Sequence, residues 1–381
     1  MKLNNRYLYA TMLFCGTANA ANYSIEARSD AMGGVGTVSA TYLTAPFFNP
    51  ALAAVYRRND DAGMLIPSFG ITYNDPHDLV DQIDNLGKLI AAGSPDALPA
   101  LTAIDGDQLD LELGGALAIG IPNRFLSATI YGKLYTESFI TPKVAAGPDP
   151  DNSYVQAVSV SVTEVGVSLA KYQTFLYQHM AFGVTPKLQR VYTHSFASTF
   201  ANFDLGDVRE NETGETIFNL DAGALWFYGP FRIGVAAKNL IGRDIQTKAY
   251  DFTGTTPATA IPSYDYSMRP LYTVGAGIVA DYFTLSVDYD LNEEKKFSSF
   301  DDNSQMLRAG FEIDVLRQLQ IRGGYMKNMA RDVDDTITAG IGLSPLNLFE
   351  VDISARLRMK TRWGHPSIFL PPIKHLVIVG S

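Results

Sequence analysis

The sequence predicts an all-β fold, an antiparallel β-barrel of the kind that spans an outer membrane, and three observations predict it. The chain opens on an export signal. Strands of about ten residues alternate apolar and polar side chains with period two. No run of 18 apolar residues follows the signal, which excludes helical spans. Of 381 residues, 46% are hydrophobic, 11% are aromatic and 32 are glycines. That mixture suits many pleated strands with two unlike faces better than a helical bundle.

Lys2 and Arg6 precede an apolar stretch from Leu8 to Phe14, and Ala18-Asn19-Ala20 follows with the small-x-small pattern of a cleavage site. The stretch falls far short of the roughly 20 residues that a permanent helical span needs, so cleavage is expected after Ala20. A lipoprotein signal on Cys15 is the rival reading, but Phe14 stands where a small residue is required. Cys15 is the single cysteine, so the mature chain is expected to have none, and neither a disulfide framework nor a C-x-x-C site is available. Without Lys2 and Arg6 the 30 basic residues become 28 against 40 acidic, a net charge of −12. A nucleic-acid partner does not fit that charge.

The strands are clearest in the second half. Phe283, Leu285, Val287 and Tyr289 alternate with Thr284, Ser286, Asp288 and Asp290. Leu307 to Val315, Leu319 to Tyr325, Ile337 to Leu343 and Phe349 to Leu357 repeat the rule, placing Arg308, Glu312, Arg322 and Glu350 on the polar face. Asp281-Tyr282 and Leu316-Arg317 mark tight reversals, whereas Asn292 to Ser304 and Lys327 to Asp334 are long, charged loops. A soluble antiparallel sheet also alternates; strand length and the alternation of short and long connections favour the barrel. Short turns are then periplasmic and long loops external.

Earlier strands are expected near 62–74, 107–121, 124–138, 155–173, 178–193, 214–228, 230–241 and 270–281. The apolar face switches from Val158, Val160 and Val162 to Val165, Val167 and Leu169, which predicts a bulge or kink at Thr163-Glu164. Aromatics gather near strand ends, as at Tyr172, Phe175, Tyr177 and Trp226 to Tyr228, where interfacial girdles or sandwich cores would place them. Between 78 and 105, Leu79, Val80, Ile83, Leu86, Leu89 and Ile90 have helical spacing. That helical insertion covers a pore mouth, touches lipopolysaccharide, or packs on its own barrel.

Residues 21–55 lack strand alternation. They contain Ala31-Met32-Gly33-Gly34-Val35-Gly36 and, further on, Asn49-Pro50-Ala51. This order resembles the start of FadL-like outer-membrane proteins, the long-chain fatty-acid transporter superfamily, and most closely a branch of conjugal-transfer proteins of TraF type. Val235-Ala236-Ala237-Lys238-Asn239-Leu240-Ile241 resembles a strand-end motif of the same superfamily. The resemblance implies a barrel of about 14 strands with an N-terminal plug, in which Gly33, Gly34, Gly36, Asn49, Pro50 and Ala51 are plug or ligand residues. The lumen it would close is lined by Asp288, Arg308, Glu312, Arg322 and Glu350. Glycines fit such a plug because they turn tightly and admit close backbone approach, and Asn49-Pro50 suits a turn. A glycine-rich linker with a helix cap is the alternative. The inward charges are many for a fatty-acid passage, and pairing across the lumen or with the plug is the other expectation. A thioredoxin-like protein also called TraF has no counterpart here, since there is neither a βαβ pattern nor a mature cysteine.

Chemistry-bearing motifs are missing. His77, His179, His194, His365 and His375 have no metal-ligand spacing, and neither a G-x-S-x-G elbow nor a Walker sequence occurs. The reading therefore assigns no enzyme activity, no metal and no cofactor, while outer-membrane enzymes that hide catalytic residues in strands remain a competing class. Acidic tips such as Asp149 to Asn152 read as solvated loops rather than calcium loops.

About thirteen strands end by Leu357. Beyond it the alternation dissolves, Pro371-Pro372 would remove strand donors, and the last residue is Ser381 rather than an aromatic. The expectation is that 358–381 is an aberrant tail, from a reading frame shifted near residue 358, in place of the closing strand. Residues 1–20 are thus the signal, 21–55 the plug, 56–357 the barrel and 358–381 the tail. Two functions compete: an outer-membrane channel for hydrophobic small molecules, embedded in lipid and lipopolysaccharide, and a conjugal-transfer or other envelope component acting through protein contacts. A soluble periplasmic β-protein is the third.

Overall fold

The computed structural model describes residues 26–56, 62–74, 78–145, 149–175, 177–200, 212–297, 302–331, 333, 335–345, 350–359 and 377–380. The signal predicted over 1–20, most of the tail, and His77, His365 and His375 lie outside them.

Fourteen strands form one antiparallel sheet. The first seven are β1 (Gly63–Asn74), β2 (Leu109–Ile121), β3 (Ser127–Lys143), β4 (Tyr154–Phe175), β5 (Gln178–Ser198), β6 (Thr213–Tyr228) and β7 (Phe231–Lys238). A long connection then carries two small pairs: β8 (Arg243–Gln246) with β11 (Asp265–Met268), and β9 (Tyr250–Phe252) with β10 (Thr259–Ile261). The sheet resumes with β12 (Leu271–Val279), β13 (Phe283–Asp290), β14 (Met306–Val315), β15 (Leu319–Asn328), β16 (Asp335–Leu343), β17 (Val351–Met359) and β18 (Val377–Gly380). Each strand pairs with its sequence neighbour, β7 meeting β12 across the long connection. The two ends of the order, β1 and β18, come within 8 Å of each other, Cα to Cα.

Every strand expected from the alternation is present. Turns at 280–282 and at Leu316-Arg317 lie at one end of the sheet, and the long connections lie at the other. Leu316 and Arg317 both have positive φ, 57° and 59°, as a two-residue turn matched to strand twist demands. The outer face carries exposed apolar side chains on successive strands, among them Phe69, Leu117, Leu134, Leu188, Val235 and Phe311. Phe125, Tyr177, Tyr228 and Tyr282 stand exposed at the short-turn end.

Residues 26–55 lie on the opposite, inner face. They form α1 (Ala27–Ala31), α2 (Ala45–Phe48) and a 3₁₀ turn (Pro50–Ala54). The helical insertion appears as α3 (Leu79–Ala91) and α4 (Ala97–Ala103). Leu79, Ile83, Leu86 and Leu101 pack against Ile140, Val155, Ala157 and Phe196. Those are outward positions near the long-loop ends of β3 to β5, so the helices' apolar face is covered by their own sheet.

Two expectations are corrected. β4 has no bulge at Thr163-Glu164, because its register with β3 is unbroken from Ser127↔Ala170 to Lys143↔Tyr154. Val158, Val160, Val162 and Glu164 all face inward; the valines are apolar because Phe139, Ile245, Tyr266 and Phe297 pack on them. The switch in pattern marks a change of surroundings, not of register. Second, the fourteenth position is filled: Val377–Gly380 pairs with β17 from Val351↔Gly380 to Ser354↔Val377, and β17 itself runs two residues past Leu357. Pro371, Pro372 and Ser381 lie outside the described residues.

Candidate functional site

The inner face holds the N-terminal segment at two seats. At the first, α1 meets β14 to β17. Glu26 caps the helix, its carboxylate accepting from Arg28 N at 3.0 Å and Ser29 N at 2.9 Å, which satisfies donors that a helix start leaves open. Arg28 grips Glu312 with two bonds, 2.8 and 2.9 Å, and donates to Ser39 O at 2.9 Å. Burial alone would lower the Arg28 guanidinium; Glu312 outweighs it and holds the group above its ordinary value. Glu312 also accepts from Arg322 Nε at 2.6 Å, and Arg322 reaches on to Glu350 at 2.6 Å and to Asp352. Beside this chain of charges, Arg356 donates to Asp30 at 2.6 Å, and Thr338 Oγ1 donates to Ala31 O at 2.8 Å.

The backbone then turns at Gly33 and Gly34, with φ of 73° and 75°, values at which a side chain is strained. Gly310 and Gly324 are cross-strand partners, and a Cβ on either would overlap the backbone of Met32 or Gly33. The wall is thus bare of side chains where the segment turns. Asp288 accepts from Gly36 N at 2.8 Å and Thr37 N at 2.9 Å. Gly36 itself faces the Phe48 ring, where a Cβ would overlap.

The second seat lies across the sheet on β4 to β7. Asn49 is fully buried. Its amide donates to Thr37 O at 2.9 Å, and its Oδ1 accepts from Ala51 N at 3.1 Å, starting the 3₁₀ turn. Gly183 and Gly223, also cross-strand partners, make a second bare patch where Asn49, Pro50 and Ala51 lie flat; a Cβ at Gly183 would overlap Pro50 and Ala51, and one at Gly223 would overlap Asn49 Oδ1. Ala51, Leu52 and Ala53 pack with Ala170, Ala181 and Leu225. The strand-end motif closes this seat: Lys238 donates to Phe47 O, and Asn239, at φ 52°, donates its backbone N–H to Asp221 at 2.7 Å.

Behind it runs a buried network. Lys187 sits 2.8 Å from Asp221 and 3.3 Å from Glu164. Tyr131 and Gln189 donate to Glu164, each at 2.6 Å, and Gln189 links on to Asn239 at 2.9 Å and Asn219 at 3.0 Å. Polar groups this deep need partners, because an unmet buried donor or acceptor costs about 1–3 kcal/mol. Between the seats, Val38 O accepts from Arg232 of β7, and Tyr42 O accepts from Thr129 of β3.

All six motif residues and all five charged residues expected at the site lie together at this inner face. Asp288, Glu312, Arg322 and Glu350 bind the segment or the network that holds it, and Arg308 pairs with Asp290 at 2.9 Å. Arg28, Asp30, Glu164, Lys187, Asp221, Arg356 and the strand glycines belong to the same arrangement. Sequence reasoning missed them. Glu164 and Lys187 sit at inward positions of alternating strands, which was a usable signal; the partnership of Arg28 with a residue 284 positions away was not.

Known proteins resemble this chain in sequence family and in fold. A family model described as "F plasmid transfer operon, TraF, protein" matches residues 46–290, well over half of the chain. The structure is similar to that of the Ralstonia pickettii toluene transporter TbuX, with a TM-score of 0.57 and 12% identity over 89% of this chain and 94% of that one. It is also similar to two mutants of the TodX monoaromatic hydrocarbon channel, ΔS2S3 (TM-score 0.53, 11% identity, 89% and 95% covered) and ΔS2 (0.52, 12%, 90% and 93%). At such identities the likeness establishes a shared fold. Among curated proteins, none matches the sequence.

Proposed function

The chain belongs to the family of the F plasmid transfer operon protein TraF, and on that premise we propose that it is an outer-membrane β-barrel, closed between β1 and β18, with residues 21–55 as its plug and hydrophobic small molecules as its cargo. The observation that carries the reading is that residues 26–55 reach all fourteen strands from one face of the sheet. They touch β1 and β2 through Tyr42, β3 through Phe47 and Tyr42, β4 to β6 through the 3₁₀ turn, and β7, β12 and β13 through Val38, Thr37 and Gly36. They touch β14 to β18 through Arg28, Met32 and α1. Because the segment is folded into short helices and turns rather than extended, contact with both ends and the middle of the sheet supports a sheet curved around it.

The outer face supports a lipid environment. A continuous exposed apolar belt is out of place in water and matches the lipid-facing band of a membrane barrel. β4 and β5, at 22 and 21 residues, are about twice the 9–11 residues that cross a bilayer, so their long-loop halves stand outside it with α3 and α4 against them. The inner charges, paired with one another and with the plug, leave fewer bare charges along the wall, which suits an apolar cargo.

Folded membrane barrels migrate faster on detergent gels before boiling, and this protein is expected in outer membranes with that shift. Deletion is expected to reduce uptake of labelled toluene. A protein found in the soluble fraction would overturn the barrel. The second reading, an envelope component of a transfer apparatus, starts from the words of the family description alone; a mating defect with uptake unchanged would favour it over the channel.

A further inference from the structure

The connection between β13 and β14 does not stay beside its own strands. β13 and β14 are ninth and tenth in the sheet order, yet Lys296 and Phe297 lie against β3, the third strand. In a closed barrel of fourteen, that is the opposite wall. Lys296, with its side chain 2% exposed, forms an ion pair with the fully buried Glu137 of β3, and its ammonium lies 5.8 Å from the centre of the Phe139 ring. Burial alone would lower the Lys296 ammonium; Glu137 and Asp302 outweigh it and hold it above its ordinary value. The backbone joins in: Ser267 N donates to Lys296 O at 2.7 Å, and Phe297 N donates to Asp302 at 2.8 Å.

Beside the ion pair, Phe297 fills an apolar seat. Its ring meets Phe139 edge-on at 6.0 Å and tilts against Tyr266 at 5.2 Å, with Val158, Val160 and Val191 in the same buried cluster. The contrast is with the seat of α1, where the wall on β14 to β17 is charged. A phenylalanine side chain is, chemically, toluene.

We propose that the seat of Phe297 is a binding site for a monocyclic aromatic hydrocarbon, which the protein fills with its own ring while Lys296 and Glu137 latch the β13–β14 connection across the lumen. The proposal rests on the channel reading for its cargo class but names a site that reading does not require. Ligand and Phe297 compete, so the apparent affinity is reduced by the fraction of molecules with the latch open. Removing the ring or the latch raises it.

Lysine acylation tests this in isolated outer membranes holding the full chain. Lys295, with its side chain 66% exposed, is the internal reference for buried Lys296, and peptide mass spectrometry reads the ratio. In the unmodified protein Lys296 should react about tenfold more slowly than Lys295, and saturating toluene should raise the ratio several-fold. Phe297→Ala should raise it without toluene and abolish the response to toluene. Glu137→Gln should also raise it, and the exchanged pair Glu137→Lys with Lys296→Glu, read at Phe297→Trp by its emission, should restore a buried ring. Heat-modifiability confirms that each variant is folded. A toluene response that persists in Phe297→Ala, or none in the unmodified protein, would overturn the site. If uptake of toluene is normal while Lys296 ignores it, the site falls and the channel stands; if Lys296 responds while deletion leaves uptake unchanged, the channel falls and the site stands.

Discussion

The two seats of the N-terminal segment hold the same chain by different physics. On β14 to β17 the grip is ionic: Arg28, Asp30, Glu312, Arg322, Asp352 and Arg356 form pairs largely withdrawn from water. On β4 to β7 it is steric, with Asn49, Pro50 and Ala51 pressed on Gly183 and Gly223 and alanines filling the rest. Buried charges must be desolvated before they attract, so an intact pair contributes little net stability while a broken one is costly. A packed seat degrades by volume, methylene by methylene. The first seat is therefore brittle to single charge removal, the second to added bulk.

Arg322→Met attacks the brittle side hardest. It leaves Glu312, Glu350 and Asp352 without their shared cation, and about 3–5 kcal/mol of stability should be lost, measured as the urea midpoint of the heat-modifiable band. A loss under about 1 kcal/mol would mean that packing holds this seat as well. Gly223→Val attacks the steric side, where overpacking typically costs about 1–3 kcal/mol. Limited proteolysis should then cut near residues 45–54 while α1 stays protected; simultaneous release of both would show that the seats act as one. Asn49→Ala removes the hydrogen bonds that start the 3₁₀ turn and should cost about 1–2 kcal/mol. Combined with Arg28→Met, its effect should add to within about 0.5 kcal/mol if the seats are independent. Lys88→Ala, which breaks an exposed pair with Asp84 on α3, should change stability by less than about 0.5 kcal/mol and sets the baseline.

The valines of β4 show where reading a sequence stops. Val158, Val160 and Val162 read as one continuous apolar face with period two, and the shift to Val165 then predicted a bulge or kink. The inner wall at that height is itself apolar, covered by residues from connections after β7 and β13. The short closing strand was missed for a related reason: four residues at Val377–Gly380 are too few to show a period, and only pairing with β17 marks them.

By itself the sequence determined the strands, because a pleated strand between two unlike media must alternate with period two. It also determined the turns, through residue type, and the motifs of the N-terminal segment, through glycine and Asn-Pro chemistry. Only the tertiary structure decided which inward charges meet. Arg28 and Glu312, or Lys296 and Glu137, are far apart in the chain, and neither residue carries a local mark of its partner. Their pairing follows from the order of fourteen strands, which sets the positions that meet on one face of the sheet.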